Sequence, residues 1–267
     1  MTPGRAQGTA RLGGRAVLLA PAGLALALIV VPILALLARV EWAQLPRHLS
    51  APGVGAALRL SAVTTTITVV VSLVLGTPLA WLLARSRHRA TSWVRAVVTV
   101  PLVLPPVVGG VALLMAYGRR GVVGGPLFEA FGWQVPFTTV AVVLAEIFVA
   151  MPFYVVAVEG ALRGVDVRYD QVAATLGASP WRIFARVALP QAWPGVAAGA
   201  ALAWARALGE FGATITFAGN FTGTTQTAPL AVYTALDSDP QAAIALSVTM
   251  LVVCVVVLGA LRGRWAR

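Results

Sequence analysis

What this chain can become is limited first by six stretches of apolar sequence, each about as long as a lipid bilayer is thick. They run about Ala16–Ala38, Leu60–Ala84, Ala96–Tyr117, Val135–Val158, Gly195–Phe217 and Ala242–Leu261. A helix crossing a hydrocarbon layer about 30 Å thick needs about 20 such residues, since each adds about 1.5 Å of rise. Soluble domains do not use runs of that length repeatedly. With 59% of residues hydrophobic and 11% charged, the composition also lies far from the roughly half-apolar, quarter-charged balance of a soluble domain. The sequence therefore predicts an all-α integral membrane protein with six transmembrane helices. Residues 16–261 form one membrane domain between short tails, 1–15 and 262–267. Arg5, Arg11 and Arg15 precede the first run as they would a secretory leader. Its apolar stretch exceeds the roughly 7–15 residues of a signal core, so it reads as a retained anchor.

Arginine sets the orientation, because all 20 basic residues are Arg and none is Lys. With the N-terminus inside, the inner segments hold fourteen: Arg5, Arg11, Arg15, Arg85, Arg87, Arg89, Arg95, Arg163, Arg168, Arg182, Arg186, Arg262, Arg264 and Arg267. The outer segments hold four, Arg39, Arg47, Arg119 and Arg120, while Arg59 and Arg206 fall in or beside spans. That asymmetry predicts both termini in the cytoplasm and places the segment 159–194 there too. Trp42, Trp81, Trp93, Trp133, Trp193 and Trp265 sit near span ends, as an interfacial belt would. The net charge of +11 thus has a topological cause, and nucleic-acid binding is an unnecessary reading.

Missing residue types exclude chemistry. Without lysine there is neither a Walker loop to hold nucleotide phosphates nor a Schiff-base nucleophile. No GxSxG elbow or HExxH helix occurs. One cysteine, Cys254, and two histidines, His48 and His88, make neither a disulfide nor a metal cluster. The chain reads as a non-enzyme without a cofactor, so work against a gradient must be driven by an ion gradient or by a separate ATPase.

Between the fourth and fifth runs, Asp170–Pro190 reads as two short amphipathic helices. Tyr169, Val172, Ala173 and Leu176 share one face of the first, and Gly177 supplies a left-handed stop. Ser179 and Pro180 start the second, in which Trp181, Phe184, Ala185 and Ala188 repeat the spacing until Leu189-Pro190 ends it. Helices of roughly ten residues are marginal alone, so the pair calls for something to dock on.

Polar residues inside the runs are the remaining signal, since ionisable groups in hydrocarbon are functional or paired. Glu146 lies in the fourth run. Arg206 and Glu210, spaced i, i+4 in the fifth, read either as a structural ion pair or as part of a gate. Ser61, Thr64, Thr65 and Thr68 form a hydroxyl stripe on the second run, with Ser72 continuing it, which serves either helix packing or a polar lining for an anion. Pro101–Gly110 sets three prolines and two glycines into apolar sequence, predicting a kink.

The 159–194 segment resembles the coupling motif of permease subunits of bacterial ATP-binding cassette importers: E-A-A, three residues, G, nine residues, I, one residue, L-P. Gln171, Val172, Ala173, Gly177, Val187, Leu189 and Pro190 occupy those positions. Gln171 stands where an acid is usual, with Asp170 one residue before it, and Val172 replaces alanine. Pro101–Leu114 and Leu208–Tyr233 look like the molybdate branch of the molybdate/sulfate permeases, whose sulfate members share a looser version of both. The resemblance implies a multi-pass subunit of the bacterial inner membrane, with a cytoplasmic coupling-helix pair between spans four and five. It implies two copies forming an alternating-access pathway, an ATPase subunit docked at Asp170, Gln171, Val172, Ala173, Ala174, Gly177, Ser179, Pro180, Leu189 and Pro190, and an extracytoplasmic oxyanion-binding protein. Thr214, Thr216 and Asn220 on the fifth run join the hydroxyl stripe as candidate lining. A secondary carrier acting alone would leave the loop without a purpose, and an intramembrane enzyme would lack a convergent nucleophile and base.

Overall fold

The computed structural model describes residues 7–86 and 88–262. Arg5, Arg87, Arg264, Arg267 and Trp265, used above for orientation, lie outside them. Every regular element among the described residues is a helix, with no strand. In order they form α1 Gln7–Ala38, α2 Leu45–Leu49, α3 Val54–Val71, α4 Thr77–Arg85, α5 Ala90–Val103, α6 Pro106–Tyr117, α7 Gly124–Phe131 and α8 Thr139–Gly164. There follow α9 Val167–Thr175, α10 Pro180–Ile183, α11 Leu189–Leu208, α12 Gly212–Phe217, α13 Ala228–Ser238 and α14 Pro240–Arg262. Four stretches are long and apolar enough to cross a bilayer, Leu18–Ala38, Val54–Arg85, Thr139–Gly164 and Pro240–Val257, and α5 with α6 makes a fifth if the bent pair counts as one span. The chain is a helical membrane protein.

The third apolar run is bent within Pro101–Gly110, where its prolines predicted a kink, and the fifth is not the continuous helix expected of it. Between α5 and α6 the axis turns by 118°. Leu104 and Pro105 both take extended backbone, ψ 130° and 132°, as residues that precede a proline must. In the fifth run α11 stops at Leu208 and α12 starts at Gly212. The break is held by Glu210, whose carboxylate accepts the Ala213 N–H at 2.8 Å and pairs with Arg206 at 2.8 Å.

Elsewhere two prolines do not stop a helix, Pro190 against expectation. Ser72–Gly76 joins α3 to α4 as a π segment, and Phe184–Ala188 joins α10 to α11 in the same way. Each is followed within two residues by a proline, Pro78 and Pro190. A proline ring clashes with the carbonyl four residues before it, and a turn widened to i→i+5 hydrogen bonding relieves that clash. The expected termination at Leu189-Pro190 is therefore overturned: the second loop helix runs on into α11.

The core is built around α8, whose Ala141, Val142, Ala145, Val149, Ala150, Tyr154, Val155, Val158 and Leu162 are buried. On the other side of its main contact, α11 presents Gly195, Gly199, Ala203 and Ala207 at intervals of four. Small residues so spaced let two transmembrane backbones approach closely. A Cβ at Gly195 would stand 2.1 Å from the Ala161 Cβ. At the opposite extreme, α1 shows Leu18, Leu24, Leu28 and Ile29 exposed along its length, the surface a lipid-facing helix requires.

Candidate functional site

The loop helices meet the bundle at the end where Arg85, Arg95 and Arg163 gather. Asp166 caps α9, its Oδ1 accepting the Arg168 N–H at 2.9 Å, a role the sequence reading did not assign. At the other end Gly177 has φ +81°. Its N–H reaches the Ala174 carbonyl at 3.0 Å, and the Ala178 N–H reaches that of Ala173 at 3.0 Å. This pair of bonds, made possible by a left-handed glycine, closes the helix C-terminus. Two residues on, Ser179 takes extended backbone and its carbonyl accepts the Ile183 N–H at 2.9 Å, starting α10 with Pro180 in the first turn. The Ser179 hydroxyl makes no cap bond.

What this corner presents outward is apolar. Tyr169, Val172 and Leu176, the last 83% exposed, stand unpartnered on α9, and Trp181 is 70% exposed on α10. Asp166, Arg168, Tyr169, Val172, Ala173, Leu176 and Val187 line an open groove of about 580 Å³ between the helices. Gln171 and Ala174 lie exposed on the same short helix, while Leu189 is half-buried and Pro190 exposed at the start of α11. Asp170 does not share this surface. Its Oδ2 accepts the Arg85 Nε–H at 2.7 Å, and both side chains are largely buried.

A second group of polar residues lies in the middle of the bundle. Thr64 donates to Glu146 Oε1 at 2.7 Å and Thr68 to Oε2 at 2.9 Å. Ser61 Oγ accepts the Ala228 N–H at 2.7 Å, closing the start of α13. Ser61, Thr64, Thr65 and Thr68 are all buried within the chain, so the hydroxyl stripe faces α8 and α13. Packing is the reading this geometry supports. Thr65 and Thr214 are buried with no hydroxyl partner among the described residues. Arg206 and Glu210 form the ion pair anticipated from their spacing, with Glu210 1% and Arg206 26% exposed. Thr216 turns its hydroxyl to the Gly212 carbonyl at 2.8 Å. Asn220 stands apart, donating to Thr234 at 3.0 Å. Arg206, Glu210, Thr214 and Thr216 thus flank the break between α11 and α12, and Asn220 lies beyond α12.

The bundle is organised on one hub helix, α8, with a helix pair protruding at its arginine-rich end. Solved structures share it: a bacterial alginate ABC transporter in complex with its alginate-bound periplasmic protein superposes with a TM-score of 0.74 over 92% of this chain and 91% of that one, at 15% identity. A chain of the methionine ABC transporter MetNI gives 0.62 over 77% and 91%, at 18% identity.

Residues 76–264 match the family described as the binding-protein-dependent transport system inner membrane component, and the chain belongs to it. It is thus a multi-pass inner-membrane component, not itself an enzyme, of a system that works with an ATPase subunit and a binding protein. The molybdenum transport system permease protein of Mycobacterium tuberculosis is 47% identical over 240 residues, 90% of each chain. That of Haemophilus influenzae is 45% identical over 68% of this chain and 81% of its own, and that of Escherichia coli K12 40% identical over 78% and 91%.

Proposed function

We propose that this chain is the permease subunit of an ATP-driven molybdate importer. The observation that carries the reading is the 47% identity to a molybdenum permease across 90% of both chains. Two copies form the pathway across the membrane, each with six crossings and both termini in the cytoplasm; α5–α6 and α11–α12 make the two broken crossings. Residues 16–261 are the membrane domain between cytoplasmic tails. An extracytoplasmic binding protein delivers the oxyanion. The α9–α10 pair seats in the ATPase subunit, its exposed face of Tyr169, Val172, Leu176 and Trp181 supplying the apolar contact. ATP binding then displaces the pair, and the bundle alternates between its outward and inward openings, a shift between two states driven by their different affinities for the nucleotide-bound partner.

For the route itself, Arg206, Thr216 and Asn220 are the candidates that retain exposure, at the corner where α11 breaks. A weak polar path suffices, because tight binding belongs to the delivering protein and a conducting site must also release. Alanine at Thr216 or Asn220 that left uptake unchanged would remove that residue from the route. The substrate is tested by reconstituting the permease with its ATPase and binding protein in liposomes and following radiolabelled molybdate. ATP-dependent uptake that tungstate suppresses and a large excess of sulfate does not supports molybdate. Preferential uptake of sulfate would reassign the chain to the sulfate branch, and uptake without the ATPase would make it a secondary carrier.

A further inference from the structure

Arg85 joins three elements at one guanidinium. It is the last residue of α4. Its Nη1 donates to the Leu162 carbonyl at 3.0 Å, in the last turn of α8, where helix carbonyls lack partners and a cation is favoured. Its Nε donates to Asp170 Oδ2 at 2.7 Å, in the first turn of α9, where an acid is favoured for the converse reason. The side chains are 13% and 14% exposed, so this is a shielded, charge-assisted contact rather than a solvated surface pair. The neighbouring carboxylate is already committed: Glu159 is held by Arg95 at 2.8 Å and Arg163 at 2.7 Å.

One turn earlier on the same helix, Trp81 packs against Phe184 with ring centroids 5.3 Å apart and planes tilted by 54°, and Phe184 packs likewise against Trp181 of α10 at 5.3 Å and 44°. Both halves of the protruding pair therefore rest on α4, one through an ion pair and one through aromatic rings. α4 continues from α3 through the π segment Ser72–Gly76, and single π turns inside helices are frequently placed at functional sites.

We propose that Arg85 is a positioning residue that transmits movement of the coupling pair to the second span through Asp170, in parallel with the covalent path from α10 into α11. The proposal rests on the reading of α9–α10 as the ATPase docking element. It gives Asp170 a role inside the permease rather than at the ATPase surface. Movement of α9 draws α4 with it, and α4 pivots against α3 at Ser72–Gly76.

The test uses the complete importer in proteoliposomes, with molybdate import and ATP hydrolysis measured on the same preparation. Arg85→Gln and Asp170→Asn should each lower molybdate imported per ATP by about tenfold, the size of a typical coupling between sites, while the ATPase still co-purifies. The double variant should be no worse than either single one, since the two residues act as a unit. Arg85→Lys, which keeps the charge, should restore most of the ratio. Ratios within about twofold of wild type, losses that multiply in the double variant as independent sites do, or loss of the ATPase on purification would overturn the link. A Gly177→Arg variant run alongside separates the two claims. If it is inactive while Arg85→Gln is normal, only the link fails; if it imports normally, the docking reading fails as well.

Discussion

Glu146 accepts hydroxyl protons from two threonines on another helix, and that arrangement decides what its removal does. Glu146→Ala leaves the buried Thr68 hydroxyl without an acceptor and Thr64 with only the Ser61 carbonyl at 3.4 Å, at a cost of about 1–3 kcal/mol, so its thermal unfolding in detergent should shift down while Glu146→Gln, which keeps one acceptor, shifts less. Equal shifts for the two would deny the clamp. Gly177 is constrained differently. Nothing lies within 4 Å of the position its Cβ would take, but its φ of +81° is one that side-chain-bearing residues rarely adopt. Gly177→Arg should therefore abolish ATP-driven uptake while insertion and dimerisation persist, measured by membrane fractionation and crosslinking. Gln171→Glu, at an exposed position, should transport like the wild type.

Helix packing makes its own demand at Gly195. Its Cβ position lies 2.1 Å from the Ala161 Cβ, so Gly195→Leu must push α11 off α8, and overpacking of this kind costs about 1–3 kcal/mol or more. The yield of folded protein by size-exclusion chromatography should fall, and an unchanged profile would mean that the two helices are not in tight contact. The glycine and alanine spacing behind this contact, Gly195, Gly199, Ala203 and Ala207, was present in the sequence as a repeat of four, yet composition alone files such residues as generic apolar filler. Hydrophobic run length located the apolar segments well because a bilayer demands a fixed length. It could not show that the fifth is split at Glu210, a break that depends on the Ala213 N–H finding the Glu210 carboxylate. The bend of the third at Leu104-Pro105 was legible from another signal, the prolines of Pro101–Gly110. Pro190 misled in the opposite direction: the rule that proline ends a helix assumes α geometry, and the preceding π turn removes the clash on which it rests. The turn at Gly177 was legible, because a glycine following an amphipathic stretch carries its geometry locally. The destination of Asp170 was not, since its partner lies 85 residues away in sequence.

The whole molecule divides its labour between a membrane-embedded bundle and one protruding corner. Beside that corner Arg85 ties α4 to the end of α8 and to Asp170 of α9, and Arg95 of α5 and Arg163 of α8 share Glu159, so three of the arginines counted for orientation also hold helix ends together where the pair emerges. The same corner exposes two large apolar side chains, Leu176 and Trp181. The direct measurement replaces Leu176 with cysteine in a Cys254→Ser background, Cys254 being the native cysteine, and probes it in native membrane vesicles. A membrane-impermeant maleimide should label the position only from the cytoplasmic side, and a short bifunctional crosslinker should join it to the ATPase subunit. Labelling from the exterior, or vesicles holding an active importer in which no ATPase adduct forms, would rule out α9–α10 as the docking element.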